Sequence, residues 1–110
     1  MARRTVGRSA LLLAPVVLAT AAAAQEPPPD PARVKEGSAV YAQNCSPCHG
    51  VKMQDPQGAF DLRTFPHGSR ERFLRSVTQG KGSMPPWDGV LTPEEIDSLW
   101  AYVLTGGRDP

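Results

Sequence analysis

The chain has 110 residues, with twelve Lys or Arg against eleven Asp or Glu, and its formal net charge at neutral pH is +1. A balance this even excludes the usual kind of nucleic-acid-binding protein, which carries a clear basic excess. The length fits one small domain, and such a domain buries only about 60% of its surface and is marginally stable alone. A cofactor or a cross-link is therefore expected to complete its core.

The first 24 residues have the three parts of an export signal. A basic segment precedes an apolar run at residues 10–19 and a small-residue cleavage site at residues 22–24. The basic segment contains Arg3, Arg4 and Arg8. The apolar run is about half of the roughly 20 residues that a transmembrane helix needs, which favours a cleaved signal over a membrane anchor. We expect cleavage after Ala24, export to the periplasm, and a soluble mature protein without stable membrane insertion.

Residues 25–32 are predicted to form a proline-rich linker between the signal (residues 1–24) and a domain at residues 33–110. Proline-rich segments of this kind are extended and join a packed core poorly. Loss of the three arginines of the signal leaves nine basic residues against eleven acidic ones, so the mature chain has a formal charge of −2. No nucleic-acid partner is expected for it.

A first helix is predicted to run from the linker to residue 45. Asp30 can cap this helix, and Pro31 suits its first turn. Its apolar face consists of Val34, Gly37, Tyr41 and Cys45. A glycine inside a helix costs about 1 kcal/mol relative to alanine. Gly37 therefore indicates a close crossing with another helix, and the alternative is a tolerated surface glycine.

The motif that carries the chemistry is Cys45-Ser46-Pro47-Cys48-His49. Two cysteines two residues apart, followed at once by a histidine, are the attachment pattern of a c-type haem. On one helical turn both thiols can reach vinyl groups of one porphyrin, and the histidine places an imidazole under the iron. A redox dithiol and a zinc site are the alternatives. The dithiol lacks a βαβ context, and zinc would need His67 as its fourth ligand, so one covalently bound haem c is favoured.

Residues 50–68 read as a loop beneath the haem, because Gly, Pro, Asp and Gln interrupt any periodicity. A ligating histidine usually donates its second ring nitrogen to a carbonyl or carboxylate. We expect this acceptor within Val51 to Gly58, near Pro56. The haem pocket is expected to be walled by Phe60, Leu62 and Phe65. His67 is more simply a solvated loop residue, although it remains the rival iron ligand.

A second helix is predicted over Arg70 to Gln79, with Ser69 as its cap and Gly80 at its end. Its basic residues Arg70, Arg72 and Arg75 form either a solvated face or a docking patch for an acidic partner. The following loop contains Met84 in a Gly/Pro frame, 35 residues after His49, which is ample chain to reach the opposite face of a porphyrin. Met53 is a poor competitor because only three residues separate it from His49.

The last helix has the clearest start. Thr92-Pro93-Glu94-Glu95 has the pattern of a capping box with proline at the first helical position. The apolar residues at helical spacing are Ile96, Leu99, Trp100 and Val103, with Tyr102 beside them, and Gly106-Gly107 ends the helix. We expect this broad face to cross the first helix at Gly37 and Tyr41, with Leu99 buried there.

Together these features resemble a small monohaem class I cytochrome c over Arg33 to Leu104. The resemblance is carried by the haem motif, by Met84-Pro85, and by the helix pair of Gly37 and Tyr41 with Leu99 and Tyr102. It implies an all-α class I cytochrome c fold, with three main helices wrapped around one covalently bound haem. It further implies that Cys45 and Cys48 bind the haem and that His49 and Met84 are the axial iron ligands.

A weaker resemblance concerns the partner. The segments Phe60-Asp61-Leu62-Arg63, Met84-Pro85-Pro86-Trp87 and Leu99-Trp100-Ala101-Tyr102-Val103 are similar to those of small exported cytochromes that accept electrons from quinoprotein alcohol dehydrogenases. This resemblance implies a periplasmic dehydrogenase as donor, and a terminal oxidase or another cytochrome as acceptor.

The expected function is that of a soluble periplasmic one-electron carrier and not of an enzyme. Methionine and histidine ligation raises the haem potential, and two filled axial positions leave no open site for a substrate. Two alternatives remain. A haem gas sensor or peroxidase-like protein would have a labile Met84, and a cytochrome subunit of a larger oxidoreductase would stay tightly bound to its partner.

Overall fold

The computed structural model of the chain describes residues 2–3, 7–19 and 28–108. The predicted cleavage site after Ala24 and residues 25–27 of the predicted linker lie outside the described residues. Residues 10–19, the apolar run of the predicted signal, adopt no regular secondary structure. Among the described residues, no helix has both the length and the apolar character needed to cross a membrane.

The described part of the chain is helical and contains no β-strand. The four α-helices are α1 (Pro31–Asn44), α2 (Ser46–His49), α3 (Arg70–Gln79) and α4 (Pro93–Val103), and two 3₁₀ turns cover Val51–Met53 and Leu62–Thr64. The prediction of an all-α protein is confirmed at the level of fold class. The three longer helices are the three that the sequence predicted, and α2 holds the second half of the cysteine motif.

Helix starts match the sequence signals at two of three places. The Asp30 side chain accepts a hydrogen bond from the Ala32 amide, as predicted for α1. Thr92 and Glu95 form the predicted reciprocal capping box of α4. The predicted cap of α3 is wrong, because the Ser69 side chain makes no capping hydrogen bond. Ser69 has ψ of 42°, outside the extended region from which a capping side chain reaches the first turn.

Helices α1 and α4 cross in direct backbone contact. A Cβ placed on Gly37 would lie 2.0 Å from the Ser98 carbonyl oxygen of α4. One turn further along α1, the ring of Tyr41 packs on that of Tyr102 at 5.1 Å between centroids. Leu99 is also buried, with 2% of its surface exposed. The predicted crossing at Gly37 is confirmed.

An aromatic cluster joins α3 and α4 to the preceding loop. Phe65 packs edge-on against Phe73 at 5.8 Å and against Trp100 at 5.9 Å. At the surface, Asp97 of α4 forms ion pairs with Arg33 of α1 and Arg70 of α3. All three helices are thus tied together, and the loops between them frame the cavity described next.

Candidate haem-binding site

The described residues enclose a cavity of about 650 Å³ between the helices and the two long loops. This volume lies in the range of about 300–1,000 Å³ that is usual for cofactor and ligand sites. Both cysteines of the motif, His49 and Met84 line it. Its apolar wall includes Phe60, Leu62, Phe65, Trp87, Leu99 and Val103. The structure therefore brings all four predicted site residues to one cavity, together with the three predicted wall residues.

The cysteine motif occupies the junction between α1 and α2. Cys45 caps the end of α1, where its amide donates to the Tyr41 carbonyl at 2.8 Å. Its own carbonyl accepts from the His49 amide at 2.9 Å, which places Cys45 and His49 one helical turn apart. Burial, with a smaller effect of the Cys48 thiol, raises the pKa of Cys45 to about 11. A redox dithiol needs the opposite, a stabilised thiolate.

His49 is oriented by a backbone carbonyl. Its Nδ1 lies 3.0 Å from the Phe60 carbonyl oxygen. Because a carbonyl can only accept, Nδ1 carries the hydrogen and donates it, which leaves the lone pair of Nε2 for a metal. This is the arrangement expected of a ligating histidine.

The prediction that this acceptor lies within Val51 to Gly58, near Pro56, is wrong. The Pro56 carbonyl accepts from the Gly58 amide at 3.0 Å. The intervening chain reverses sharply, with φ values of 53° at Lys52 and 61° at Met53. Because of this reversal, the residues that follow stay close to α2, where the Gln57 amide donates to the Cys48 carbonyl. The first carbonyl that reaches the His49 imidazole is that of Phe60.

A buried hydroxyl holds the chain directly after the histidine. The Tyr41 hydroxyl donates to the Gly50 carbonyl at 2.6 Å. Burial is the main cause that raises the pKa of Tyr41 to about 12. Gly50 has φ of 87°, and a Cβ there would lie 1.6 Å from the Gln54 carbonyl oxygen. The helical pattern of the sequence assigns Tyr41 to packing alone and does not reveal this bond; a glycine directly after the histidine is the one available signal.

Met84 lies in a tight turn. Its amide and carbonyl exchange hydrogen bonds with those of Lys81 at 3.0 and 3.1 Å. Gly82 in the turn has φ of 57°, and a Cβ on Gly80 would lie 2.7 Å from the Met84 carbonyl oxygen. The Trp87 amide donates to the Val77 carbonyl at 2.9 Å, which ties the loop to α3. The half-buried Met84 side chain is thus presented to the cavity by a fixed backbone.

The two rivals of Met84 do not line the cavity. Met53 is fully buried in the core, with 0% of its surface exposed. His67 is exposed in the turn before α3. Of these three residues, Met84 is the one that lines the cavity. Because His67 stays outside, the four ligands of the zinc alternative are not brought together.

The basic residues predicted to form one face of α3 do not share one environment. Arg70 pairs with Asp97, away from the cavity. The Arg72 guanidinium lies over the Phe65 ring, 4.9 Å from its centroid, and lines the cavity together with Lys81. The wall of the cavity is therefore apolar with two cations, which suits a large apolar ligand that carries negative groups.

The residues fit a covalently attached haem. The cavity joins two thiols, an imidazole with a free Nε2 and a thioether within an apolar wall. Imidazole and thioether are a usual axial pair for haem iron, and the Cys-x-x-Cys-His spacing is that of haem attachment.

Comparison with known proteins is consistent with this fit. The family model described as "Cytochrome C oxidase, cbb3-type, subunit III" matches residues 32–103. A cytochrome c6 of Nostoc sp. (strain PCC 7120) is 36% identical over 73 residues, which are 62% of this chain and 66% of that protein. The quinohemoprotein alcohol dehydrogenase ADH IIB of Pseudomonas putida is 36% identical over 78 residues, 68% of this chain and 11% of that protein.

A third relative is the cbb3-type cytochrome c oxidase subunit FixP of Bradyrhizobium sp. (strain ORS 278). It is 38% identical over 80 residues, which are 66% of this chain and 28% of that subunit. The chain thus spans about two thirds of the cytochrome c6 but only a minor part of the dehydrogenase and of the oxidase subunit.

Proposed function

Because this chain belongs to the cytochrome c family, as a small class I c-type cytochrome with covalently bound haem c, we propose that it is a single-haem, one-electron carrier. The family and the relatives make it a haem electron-transfer cytochrome. The proposal of a single-haem electron carrier rests on one observation: Cys45, Cys48, His49 and Met84 line the same cavity.

In this proposal Cys45 and Cys48 would form the two thioether bonds to the haem, and His49 would bind its iron. The bound haem supplies iron that cycles between its ferric and ferrous states. The chain orients the imidazole through the bond from Nδ1 to the Phe60 carbonyl. The Tyr41 hydroxyl fixes the backbone that follows His49. The apolar wall excludes water and so favours the less charged, ferrous state.

Met84 is the proposed second axial ligand. Support comes from its position on the cavity and from the turn that fixes its backbone. A neutral thioether is a weak donor that favours ferrous iron, and ligation by histidine and methionine raises the haem potential. If His49 and Met84 both bind the iron, no coordination position would remain for a substrate, so the protein is proposed to carry electrons without acting as an enzyme.

The proposed setting is the periplasm, after removal of residues 1–24. The donor is a dehydrogenase, with a quinoprotein alcohol dehydrogenase as the first candidate, and the acceptor is a terminal oxidase or another cytochrome. Segments similar to this chain occur in ADH IIB, a quinohemoprotein alcohol dehydrogenase, and in FixP, a subunit of a cbb3-type cytochrome c oxidase. Transient electron-transfer contacts bury less than about 1,200 Å². Arg72 and Lys81 beside the cavity would favour an acidic partner surface.

A second candidate is a cytochrome subunit that stays bound to a larger oxidoreductase. It is favoured by the family description as an oxidase subunit and by the matches to parts of longer proteins. Size-exclusion chromatography of the protein from its native periplasm distinguishes the two: a carrier elutes alone, and a subunit elutes with its enzyme.

The visible spectrum of the protein expressed with export, in both oxidation states, tests the proposal. We expect a reduced spectrum of low-spin haem c that is unchanged by carbon monoxide. A haem gas sensor or peroxidase-like protein with a labile Met84 would bind carbon monoxide without any treatment. Absence of haem from the exported protein would contradict the electron carrier and the haem sensor or peroxidase-like protein alike. The donor is tested separately by stopped-flow mixing with reduced quinoprotein alcohol dehydrogenase, and failure to reduce the haem at micromolar concentrations would exclude that donor only.

A further inference from the structure

The carbonyl that orients His49 belongs to a residue next to a small hydrogen-bonded unit on the surface. Asp61 follows Phe60 directly, and its side chain accepts from the Arg63 amide at 3.0 Å. The same carboxylate accepts from Nε and Nη2 of Arg63, both at 2.9 Å. The Asp61 carbonyl accepts from the Thr64 hydroxyl at 2.7 Å. Asp61 is thus held through its side chain and its backbone at the start of the 3₁₀ turn.

Fixing Asp61 also fixes the Phe60 carbonyl. The carbonyl of Phe60 and the amide of Asp61 lie in one peptide plane, so the backbone of Asp61 helps to set where that oxygen points. The Phe60 side chain offers a weaker hold, because 49% of its surface is exposed and its ring contacts Phe65 at 5.9 Å. The preceding Gly58 has φ of 79° and open space around it. The restraint on this carbonyl therefore comes mainly from the residues that follow it.

The ion pair between Asp61 and Arg63 is expected to add little to the stability of the fold. The Asp61 and Arg63 side chains are 33% and 45% exposed, and ion pairs this exposed contribute little to stability because water and salt screen them. The Arg63 guanidinium hydrogen-bonded to Asp61 holds the pKa of that carboxyl below its usual value, so the pair is charged at neutral pH. Its geometry is bidentate, the form in which arginine restricts orientation most strongly.

We propose that Asp61 and Arg63 are positioning residues for the haem iron: they hold the Phe60 carbonyl on His49 Nδ1 and thereby help to set the midpoint potential. A hydrogen bond from Nδ1 to a carbonyl raises the basicity of the other nitrogen. A more basic axial ligand stabilises ferric iron. Loss of the bond is therefore expected to favour ferrous iron and raise the potential. The inference rests on the proposed role of His49 as ligand.

In a variant that loses the Arg63 cation, the lost charge and the released Phe60 carbonyl are expected to shift the midpoint potential in opposite directions. Removal of a cation near a haem stabilises the ferric state and lowers the potential, whereas release of the Phe60 carbonyl raises it. Two substitutions of Asp61 separate the effect of charge from the effect of carbonyl position. In Asp61→Asn the side-chain oxygen can still cap the Arg63 amide, whereas Asp61→Ala removes the cap and the ion pair together. Both changes remove the same charge.

The experiment is potentiometric titration of the holoprotein at one pH and salt concentration for wild type, Arg63→Gln, Asp61→Asn and Asp61→Ala. We expect Arg63→Gln and Asp61→Ala to raise the ferrous-to-ferric ratio at a fixed ambient potential by at least threefold. Asp61→Asn should shift it by less than half as much as Asp61→Ala on a logarithmic scale. The matched control is Asp97→Asn, which removes one surface carboxylate of the same charge, paired with Arg33 and Arg70 and far from this loop in sequence, and no shift is expected.

A second readout keeps the proposal falsifiable if one variant loads haem poorly. The exchange rate of the His49 Nδ1 hydrogen with solvent, followed by NMR, should increase in Asp61→Ala and stay near the wild-type rate in Asp97→Asn. A lower potential in Arg63→Gln, or equal shifts in Asp61→Asn and Asp61→Ala, would overturn the proposal in favour of a charge effect. A wild-type protein without histidine-ligated haem would instead overturn the proposed function, so the two failures are distinguishable.

Discussion

The crossing of α1 and α4 gives a sharp test of the packing, because Gly37 has no room for a side chain. In Gly37→Ala the new Cβ would lie 2.0 Å from the Ser98 carbonyl oxygen, 2.6 Å from its carbon and 3.0 Å from Tyr102 Cβ. Cβ atoms essentially never approach another atom closer than 3.0 Å, so the helices must separate by about 1 Å. A gap of that size removes a quarter to a half of each van der Waals contact along the crossing.

The magnitude follows from two opposing effects. Overpacking of a core costs typically about 1–3 kcal/mol, and here the obstacle is backbone, which cannot rotate away. Alanine recovers about 1 kcal/mol because it favours the helix over glycine. Because the obstacle is rigid, we take the upper end of that cost, about 3 kcal/mol, which leaves a net loss of about 2 kcal/mol in the free energy of unfolding. The melting temperature is then expected to fall by roughly 8–16 °C for a domain of this size.

The assay is guanidinium unfolding of the holoprotein followed by circular dichroism, with Gly68→Ala as the matched control. Gly68 has no positive φ and no atom within 4 Å of a Cβ, so its substitution should be neutral or stabilise by roughly 0.4–1 kcal/mol. Equal midpoints for the two variants would refute the close crossing.

Three further predictions concern the core, the pH dependence and the attachment of the haem. Leu99→Ala should cost about 2–5 kcal/mol, because Leu99 of α4 is buried and forms part of the cavity wall, and an unchanged denaturant midpoint would contradict this packing. Because burial raises the pKa of Tyr41 from 10.0 to about 12, its contribution to stability is complete below pH 10 and is lost as the pH rises to about 12. Tyr41→Phe should flatten that part of a pH series of unfolding midpoints, and an unchanged slope would show that another group titrates there. The intact mass of the exported protein should correspond to residues 25–110 with one haem, and acid-acetone should leave the haem on the protein. Extractable haem would contradict attachment through Cys45 and Cys48, and an uncleaved mass would contradict only the signal prediction.

The helices could be predicted because their signals are local. Proline at the first helical position, the Thr92–Glu95 box and the terminal glycines each act within one turn of the residue that they affect. Gly37 was informative for a different reason: a glycine within an apolar stripe marks a backbone contact even when its partner is unknown. The motif likewise fixed the relation of Cys45, Cys48 and His49 within one turn.

The acceptor of His49 could not be predicted because it depends on the path of a loop. That path requires positive φ at Lys52, Met53 and Asp55, a conformation that sequence propensities assign to glycine and not to these residues. The pairing of Arg70 with Asp97 is also long-range, because the two residues are 27 positions apart in sequence, so it could not be predicted from helical spacing. Ser69 was predicted to cap α3 from its residue type, but a capping hydrogen bond also needs an extended backbone, which Ser69 lacks.

The weak red charge-transfer band of sulfur-bound ferric haem tests directly whether Met84 and His49 are the axial ligands of a haem attached through Cys45 and Cys48. We predict the band in the ferric wild type and in His67→Ala, and its loss in Met84→Ala together with binding of carbon monoxide by the reduced protein. Met84→His should lower the midpoint potential by more than the ~59 mV that corresponds to a tenfold change for one electron. A band that survives in Met84→Ala and disappears in His67→Ala would contradict the assignment.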